Sequence, residues 1–357
     1  MVIGGSAGAI RPLREILADL PAGLPATVCV VIHMPDDSSS ALARVLARAG
    51  SLDAIFADDG LPLRAGRIAV APPGNHLLVH DGSLVLSRGA RENGTRPAID
   101  PLFRSAARAL GADVVSVLLS GTLDDGSAGT AAIRAAGGTT IVQDPSEADF
   151  PDMPRHALET GTVVAALSVG DIAGAIVDAV QVIQDRRNGG VRGTDGHGLA
   201  VEPGDRPLGE PIGDPVDRGA HGPAPDLEPP ASPFACPSCG GVLYERTPPE
   251  QFLCRLGHRF APEALRAGQE TVIEEALWTA LRTLEESASL AARLRDRAAA
   301  RGQEHLEQRF EARHTGARER ADRIRVLIEG MPDPAASRIA TDDGEDERWR
   351  EGVPQPA

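Results

Sequence analysis

The stretch "MVIGGSAGAIRPLREIL" (Met1–Leu17) decides how the first half of the chain is read. Val2 and Ile3 are apolar and β-prone, and Ile10, Leu13, Ile16, Leu17 and Leu20 then recur at helical spacing. Gly4, Gly5, Ser6, Ala7 and Gly8 therefore form the join of a strand and a helix, where glycine permits a tight turn and close backbone approach. Two readings compete for such a join. One is a phosphate-cradling turn of a dinucleotide fold. The other is a nucleophile elbow, since Gly4-Gly5-Ser6-Ala7-Gly8 fits G-x-S-x-G.

Working outward, short β-rich runs alternate with helical stretches to about residue 185. Strands are expected at Thr27–Ile32, Arg67–Ala71, Val114–Leu119, Thr139–Gln143 and Thr162–Leu167, with a hairpin at Leu77–Ser87 turning on Asp81-Gly82. Helices are expected at Asp100–Leu110 and Ser127–Ala136. Near-continuous apolar strands imply an α/β fold with a doubly wound, mostly parallel sheet flanked by helices. Such sheets gather their active groups at the carboxyl ends of the strands.

The elbow reading has partners on that rim. His33 follows the strand "VVIHMP", and Asp124 and Asp125 follow the strand Val114–Leu119 in "SGTLDDGSAG". A serine, a histidine and a carboxylate thus come to one edge from three strand ends, as triad chemistry requires. The order Ser…His…Asp differs from the Ser…Asp…His order of α/β-hydrolases. The dinucleotide reading fares worse. Ser6 occupies the second glycine position of G-x-G-x-x-G, although Asp36 or Asp37 could serve as the ribose partner. Asp124 and Asp125 could instead merely cap the helix beginning near Ser127. The spacing does not choose between Asp124 and Asp125.

Composition narrows the chemistry. Among 357 residues there is no lysine, so all 36 basic residues are arginine. Ser–Lys dyads, Schiff-base chemistry and a Walker lysine are excluded, and a serine nucleophile needs histidine as its base. A net charge of −15 argues against nucleic acid as a partner. No apolar run has the length of a bilayer span and no leader pattern opens the chain, so a cytoplasmic protein without direct membrane insertion is expected.

The second half changes character. Residues 1–185 are expected to form the catalytic domain and 186–233, rich in Pro and Gly, a disordered linker. A zinc-ribbon-like module at 234–262 follows, then a helical hairpin or coiled coil at 263–330 and a disordered acidic tail at 331–357. In the module, Cys236-x₂-Cys239 and Cys254-x₃-His258 are separated by fourteen residues. That spacing fits a closed tetrahedral Cys₃His structural zinc site. A segment this small has too few apolar residues to fold unaided. Beyond it, Ile273, Leu277, Ala280, Leu281, Leu284, Ala288, Ala291 and Leu294 form one apolar stripe. Leu306, Phe310, Ala317, Ile324 and Leu327 form a second, after a break at Arg301-Gly302. The stripes fit a hairpin that buries both, or self-association and docking through these helices.

The stretches "IGGSAGA" (Ile3–Ala9), "VIHMP" (Val31–Pro35), "APPGNHLLV" (Ala71–Val79), "RPAIDPLFRSAA" (Arg96–Ala107), "LLSGTLDDGSAG" (Leu118–Gly129) and "MPRHAL" (Met153–Leu158) resemble the CheB-type protein-glutamate methylesterases of bacterial chemotaxis. The resemblance runs from residue 2 to about 180. It implies Ser6 as nucleophile, His33 as general base and Asp125 as orienting carboxylate, because the family's aspartate directly precedes a glycine. It implies hydrolysis of glutamate γ-methyl esters on methyl-accepting receptors, with deamidation of receptor glutamines as a second activity and no cofactor for catalysis. Ala7 and Thr122 adjoin the expected oxyanion site, where the family usually carries threonine and methionine. No receiver domain precedes the esterase in this sequence, so the resemblance does not imply activation by phosphorylation of this chain. The alternatives are a non-catalytic scaffold that keeps the fold, or an esterase of unrelated substrate.

Overall fold

A computed structural model describes residues 1–35, 40–188, 231–246 and 250–331. Asp36, Asp37, the linker between Asn188 and Ala231 and the tail after Met331 lie outside the described residues. The described chain divides into two units, one spanning Met1–Leu265 and the other beginning at Arg266.

The first unit is built on seven parallel strands: β1 (Val2–Gly5), β2 (Thr27–Ile32), β3 (Asp53–Phe56), β4 (Arg67–Val70), β7 (Val115–Leu118), β8 (Thr139–Gln143) and β9 (Ala165–Leu167). They lie in the order β3-β4-β2-β1-β7-β8-β9. Every pairing in this sheet is parallel, as the unbroken apolar runs predict. An antiparallel hairpin, β5 (His76–His80) and β6 (Ser83–Ser87), turns on Asp81-Gly82 at φ 44° and 73°.

Both faces are covered. Ile3, Val28, Val30, Ile32, Val115 and Val117 meet α1 (Ile10–Asp19), α2 (Leu42–Ala47) and α6 (Val169–Arg187) through residues such as Leu13, Ile16, Leu46 and Ile176. The alternate residues Val2, Cys29, Val31, Leu118 and Val142 face the β5–β6 hairpin, α3 (Ile99–Leu110), α4 (Ser127–Ala135) and α5 (Asp152–Glu159) through Leu77, Phe103, Ile133 and Met153. Strand β1 lies between β2 and β7, so the strand order diverges at it. In open parallel sheets, ligands bind outside the carboxyl ends of the strands at such a switch point. Strand β3 and helix α2 are short, and neither stands out in the sequence.

The same unit ends in a four-stranded antiparallel sheet, β10 (Ala231–Ala235), β11 (Val242–Arg246), β12 (Gln251–Cys254) and β13 (Arg259–Phe260). Its core is small: Leu243, Phe252, Phe260, Ala264 and Leu265 with two of the cysteines. Strand β10 begins inside the stretch expected to be linker.

The unit boundary falls within α7 (Pro262–Ala299), which is followed by α8 (Glu304–Glu329). The break falls at Gly302, whose φ is 66°. Ion pairs Arg295–Glu311 and Arg325–Glu285 and a His314 Nδ1 contact with the Ala288 carbonyl tie the two helices antiparallel. Leu281, Ala288, Ala291 and Ala317 of the stripes are buried, and so is Ala321 outside them. The ends of the stripes are not: Ile273 and Leu327 are 54% and 59% exposed, because small residues let the helices pack closely only along the middle of the hairpin. No described helix is long and apolar enough to cross a membrane.

Candidate active site

Ser6 and His33 are the next residues beyond the paired ends of β1 and β2, where Gly5 is in register with Ile32. The His33 N–H donates to the Gly5 carbonyl at 3.2 Å, carrying the strand pairing one residue further. Adjacent parallel strands lie about 4.8 Å apart, so the serine and histidine are lateral neighbours on the rim. The Ser6 turn is fixed from below. The Ser6 N–H donates to the Ser120 carbonyl at 2.9 Å, and the buried Ser120 hydroxyl donates to the Ala7 carbonyl at 2.8 Å. The Ser120 N–H is in turn held by Gln143 Oε1 at 2.9 Å. Gly8 has φ 73°, and a Cβ there would sit 2.7 Å from the Ser120 hydroxyl. Only glycine allows both the turn and that approach.

His33 Nε2 and Asp125 Oδ2 are 2.7 Å apart, with side chains 12% and 3% exposed. Asp125 is a carboxylate acceptor here, so the neutral ring carries its proton on Nε2 and keeps Nδ1 as its basic nitrogen. Asp125 also accepts from the Ile99 N–H at 2.7 Å through Oδ2, and from the Asp100 N–H at 3.2 Å and Asn93 Nδ2 at 2.8 Å through Oδ1. Burial pushes this carboxyl up, but His33 and these donors outweigh it and hold it below the ordinary carboxylate value.

The position of Asp125 at the start of α3 is one half of a reciprocal arrangement. Asp100, in the first turn of α3, accepts from the Gly126 and Gly129 N–H groups at 3.1 and 2.6 Å, at the start of α4. Two helix N-termini thus exchange carboxylate caps. Asn93 Nδ2 donates to both acids, reaching Asp100 Oδ2 at 3.2 Å. Burial and the neighbouring Asp125 push the Asp100 carboxyl up. The loop that presents Asp125 is itself bent sharply, with Leu123 at φ 62° and its carbonyl held by His156 Nδ1 at 3.0 Å.

Asp124 points elsewhere. Its oxygens accept from the Glu263 and Ala264 N–H groups at 3.0 and 3.2 Å, capping the first turn of α7, and burial pushes its carboxyl up to about 6. Geometry therefore separates the two aspartates that spacing alone left equivalent. Thr122 lies in the same loop opposite the Ser6 turn, and the Gly121 N–H donates to the Phe150 carbonyl at 2.9 Å. The N–H groups of Ala7 and Thr122 take no hydrogen-bond partner among the described residues. The asparagine, Ser120 and Gln143 were not singled out by sequence. Asn93-Gly94 reads only as a turn, and Ser120 and Gln143 read only as strand ends.

Cys236, Cys239, Cys254 and His258 come together, with their ligand atoms all within 4.8 Å of one another. Two knuckles present them. The Gly240 N–H donates to the Cys236 carbonyl at 2.8 Å and the Gly257 N–H to the Cys254 carbonyl at 3.0 Å. Cys239 Sγ and Cys254 Sγ are 3.7 Å apart, and His258 Nδ1 lies 3.7 Å from Cys236 Sγ and 3.4 Å from Cys254 Sγ. A tetrahedral zinc with Zn–S bonds of about 2.3 Å sets its sulfurs about 3.8 Å apart, so the donor set fits that ion.

The first half of the chain is similar to known proteins. The family model for the CheB methylesterase matches residues 1–176. A protein from Anaeromyxobacter dehalogenans (strain 2CP-C), named protein-glutamate methylesterase/protein-glutamine glutaminase 2, is 41% identical over 176 residues, covering 49% of this chain and 52% of the relative. One from Symbiobacterium thermophilum with the same activities in its name is 40% identical over 181 residues. The chain spans about half the length of these relatives. A putative protein-glutamate methylesterase/protein-glutamine glutaminase from Leptospira interrogans is 35% identical over 174 residues, and the match covers 90% of that protein. The crystal structure of the Thermotoga maritima CheB methylesterase catalytic domain aligns over 50% of this chain and 96% of its own, at 30% identity and a TM-score of 0.48. Through its first 176 residues, the chain belongs to the CheB methylesterase family.

Proposed function

We propose that residues 1–185 form a serine esterase that removes methyl esters from glutamate side chains of methyl-accepting receptors, with Ser6, His33 and Asp125 as its triad. The observation that carries this reading is the His33–Asp125 contact of 2.7 Å beside the end of β1, where Ser6 stands. Ser6 Oγ attacks the ester carbonyl while His33 Nδ1 takes its proton, and Asp125 stabilises the resulting imidazolium. The backbone N–H groups of Ala7 and Thr122 are available to the developing oxyanion. Protonated His33 then gives its proton to the leaving methoxide, so methanol departs and an acyl-serine remains. Water, deprotonated by His33, cleaves that intermediate and restores Ser6. A glutamine amide would pass through the same acyl-serine with ammonia as the leaving group. The glutaminase in the relatives' names supports this as a second activity.

Cys236, Cys239, Cys254 and His258 are proposed to hold a structural zinc. All four positions of the ion are then filled by protein, so this site takes no part in the ester chemistry. The four unpaired cysteines support a reducing compartment, in keeping with a cytoplasmic enzyme. The exposed apolar residues Val272, Ile273, Trp278, Val326 and Leu327 supply a surface for self-association through the helical hairpin. The substrate proposal is tested by incubating the chain with receptors carrying labelled methyl esters. Labelled methanol should appear in wild type, and its absence on receptor substrates, with small esters still cleaved, would mark an esterase of unrelated substrate.

A further inference from the structure

The four-stranded ribbon does not stand apart from the esterase rim. Strand β13 begins one residue after the ligand His258, and it is clasped by Asn93 in two directions. The Asn93 N–H donates to the Arg259 carbonyl at 2.8 Å, and the Ala261 N–H donates to Asn93 Oδ1 at 2.8 Å. The other end of the same amide donates to Asp125 Oδ1, also at 2.8 Å, and Asp125 holds His33. An unbroken path of short hydrogen bonds therefore runs from the residue after His258 to the imidazole. Neighbouring contacts reinforce it. Glu92, beside Asn93, receives Arg104 from α3 at 2.7 and 2.8 Å, and Arg259 approaches it at 4.0 Å. Two and three residues further along from Ala261, the Glu263 and Ala264 N–H groups of the first turn of α7 donate to Asp124, the residue next to Asp125.

We propose that the ribbon is a metal-dependent buttress of the ester-cleaving site, acting through Asn93 as a positioning residue for Asp125; this rests on the triad reading above. The physical reason lies in what each part can hold by itself. The ribbon's few apolar residues give it little stability without a bound ion, because the folding free energy of such modules comes largely from the metal. Loss of the ion frees Arg259–Ala264 from its place. Asn93 Oδ1, in a residue only 8% exposed, then loses its donor, and the Asp124 carboxylate loses two. Water then takes the place of the Ala261 N–H, and an amide no longer clasped on its Oδ1 side is free to turn, which withdraws Nδ2 from Asp125. His33 is then held by an acid that has lost one of its fixed supports. Turnover falls while substrate affinity changes little, because the groups that move touch the imidazole's partner and not the substrate.

The test uses the full chain with zinc loaded and its content measured. Asn93 has φ 51°, which glycine adopts freely, so Asn93→Gly removes the amide without straining the turn. Three outcomes are expected with a small acyl ester such as p-nitrophenyl acetate. Chelation, or Cys239→Ser, lowers kcat roughly tenfold with KM little changed, and zinc restores the chelated wild type. Amide hydrogen exchange rises at 92–95 and 261–264 while the parallel sheet stays protected. Asn93→Gly with full zinc shows the same loss of kcat, and chelation then adds nothing further.

Unchanged kcat in zinc-loaded Asn93→Gly would overturn the proposal even if the stripped chain unfolds. So would stripped wild type with normal kcat and unchanged exchange at 92–95, or losses that add in the stripped variant. Hydrolysis that survives Ser6→Ala would overturn the triad reading itself. The exchange measurement would still report separately whether the ribbon holds Asn93.

Discussion

Ser6→Ala should lower kcat for ester hydrolysis by about 10⁴–10⁶, the scale on which a triad nucleophile acts. The loss should be close to complete because the sequence offers no substitute. With no lysine in the chain, no Ser–Lys dyad can take over, and the nearby Ser120 hydroxyl is committed. It donates to the Ala7 carbonyl at 2.8 Å and accepts from the Phe150 N–H at 3.0 Å, in a residue that is fully buried. The substitution removes only an oxygen at a partly exposed turn, so stability should change by less than about 1 kcal/mol. A fall in activity without a fall in the urea midpoint is the expected pattern. Parallel falls in both would instead mean that Ser6 supports the fold.

Asp125→Asn is expected to cost about 10⁴ in kcat, and this variant should also be less stable. The carboxylate accepts from four groups, His33 Nε2, the Ile99 and Asp100 N–H groups and Asn93 Nδ2, with two on each oxygen. An asparagine must turn its NH₂ toward one of these pairs, setting donors against donors, at about 1–3 kcal/mol for each buried group left unpaired. It also favours the wrong tautomer of His33.

The pH dependence has a defined sign. The folded Asp125 carboxyl lies below its ordinary value, so its stabilising contribution is present above about pH 4, the unfolded carboxylate range. That contribution is lost as pH falls through the lower folded value. The stability gap between wild type and Asp125→Asn, followed by urea midpoints, should therefore be wide at neutral pH and close only in strong acid. A gap that widens toward low pH would contradict the assignment. Asp124→Asn should keep kcat within about tenfold of wild type, since Asp124 caps α7 and makes no contact with His33.

The parts of this site that could be read from sequence are those written in local pattern. Gly4 to Gly8 between an apolar strand and a helical stripe announces the turn, and "VVIHMP" places His33 at a strand end. Because both strands are parallel and paired, those two readings suffice to bring Ser6 beside His33. The gathering of Cys236, Cys239, Cys254 and His258 is equally legible, since two short Cys/His pairs need only a knuckle each. The choice between Asp124 and Asp125 was not legible from spacing, because it depends on which helix N-terminus lies over which oxygen. The resemblance to the family implies Asp125; in the structure Asp125 contacts His33 and the Ile99 N–H, while Asp124 accepts from the Glu263 N–H.

The role of Asn93 is not legible in the sequence for a related reason. Asn-Gly is a sufficient signal for a turn, with φ 51° and 77°, and nothing local shows that its amide will bridge Asp125, Asp100 and Ala261. Those partners come from residues up to 168 positions away. The contact of the ribbon with the rim was hidden for the same reason, since a long separation in sequence carries no periodic trace. The stripe positions Ile273 and Leu327 are compatible with burial or with an exposed docking face, because periodicity reports only a helix face. It does not report how far along that face the partner helix packs closely.

The proposed chemistry needs Ser6 to be an activated alcohol, and covalent labelling tests this most directly. The full chain is treated with a fluorophosphonate, digested, and mapped by mass spectrometry alongside His33→Ala. The expected result is a single adduct on Ser6 in wild type, nearly absent in His33→Ala. No adduct on Ser6, or labelling that proceeds equally well without the imidazole, would contradict it.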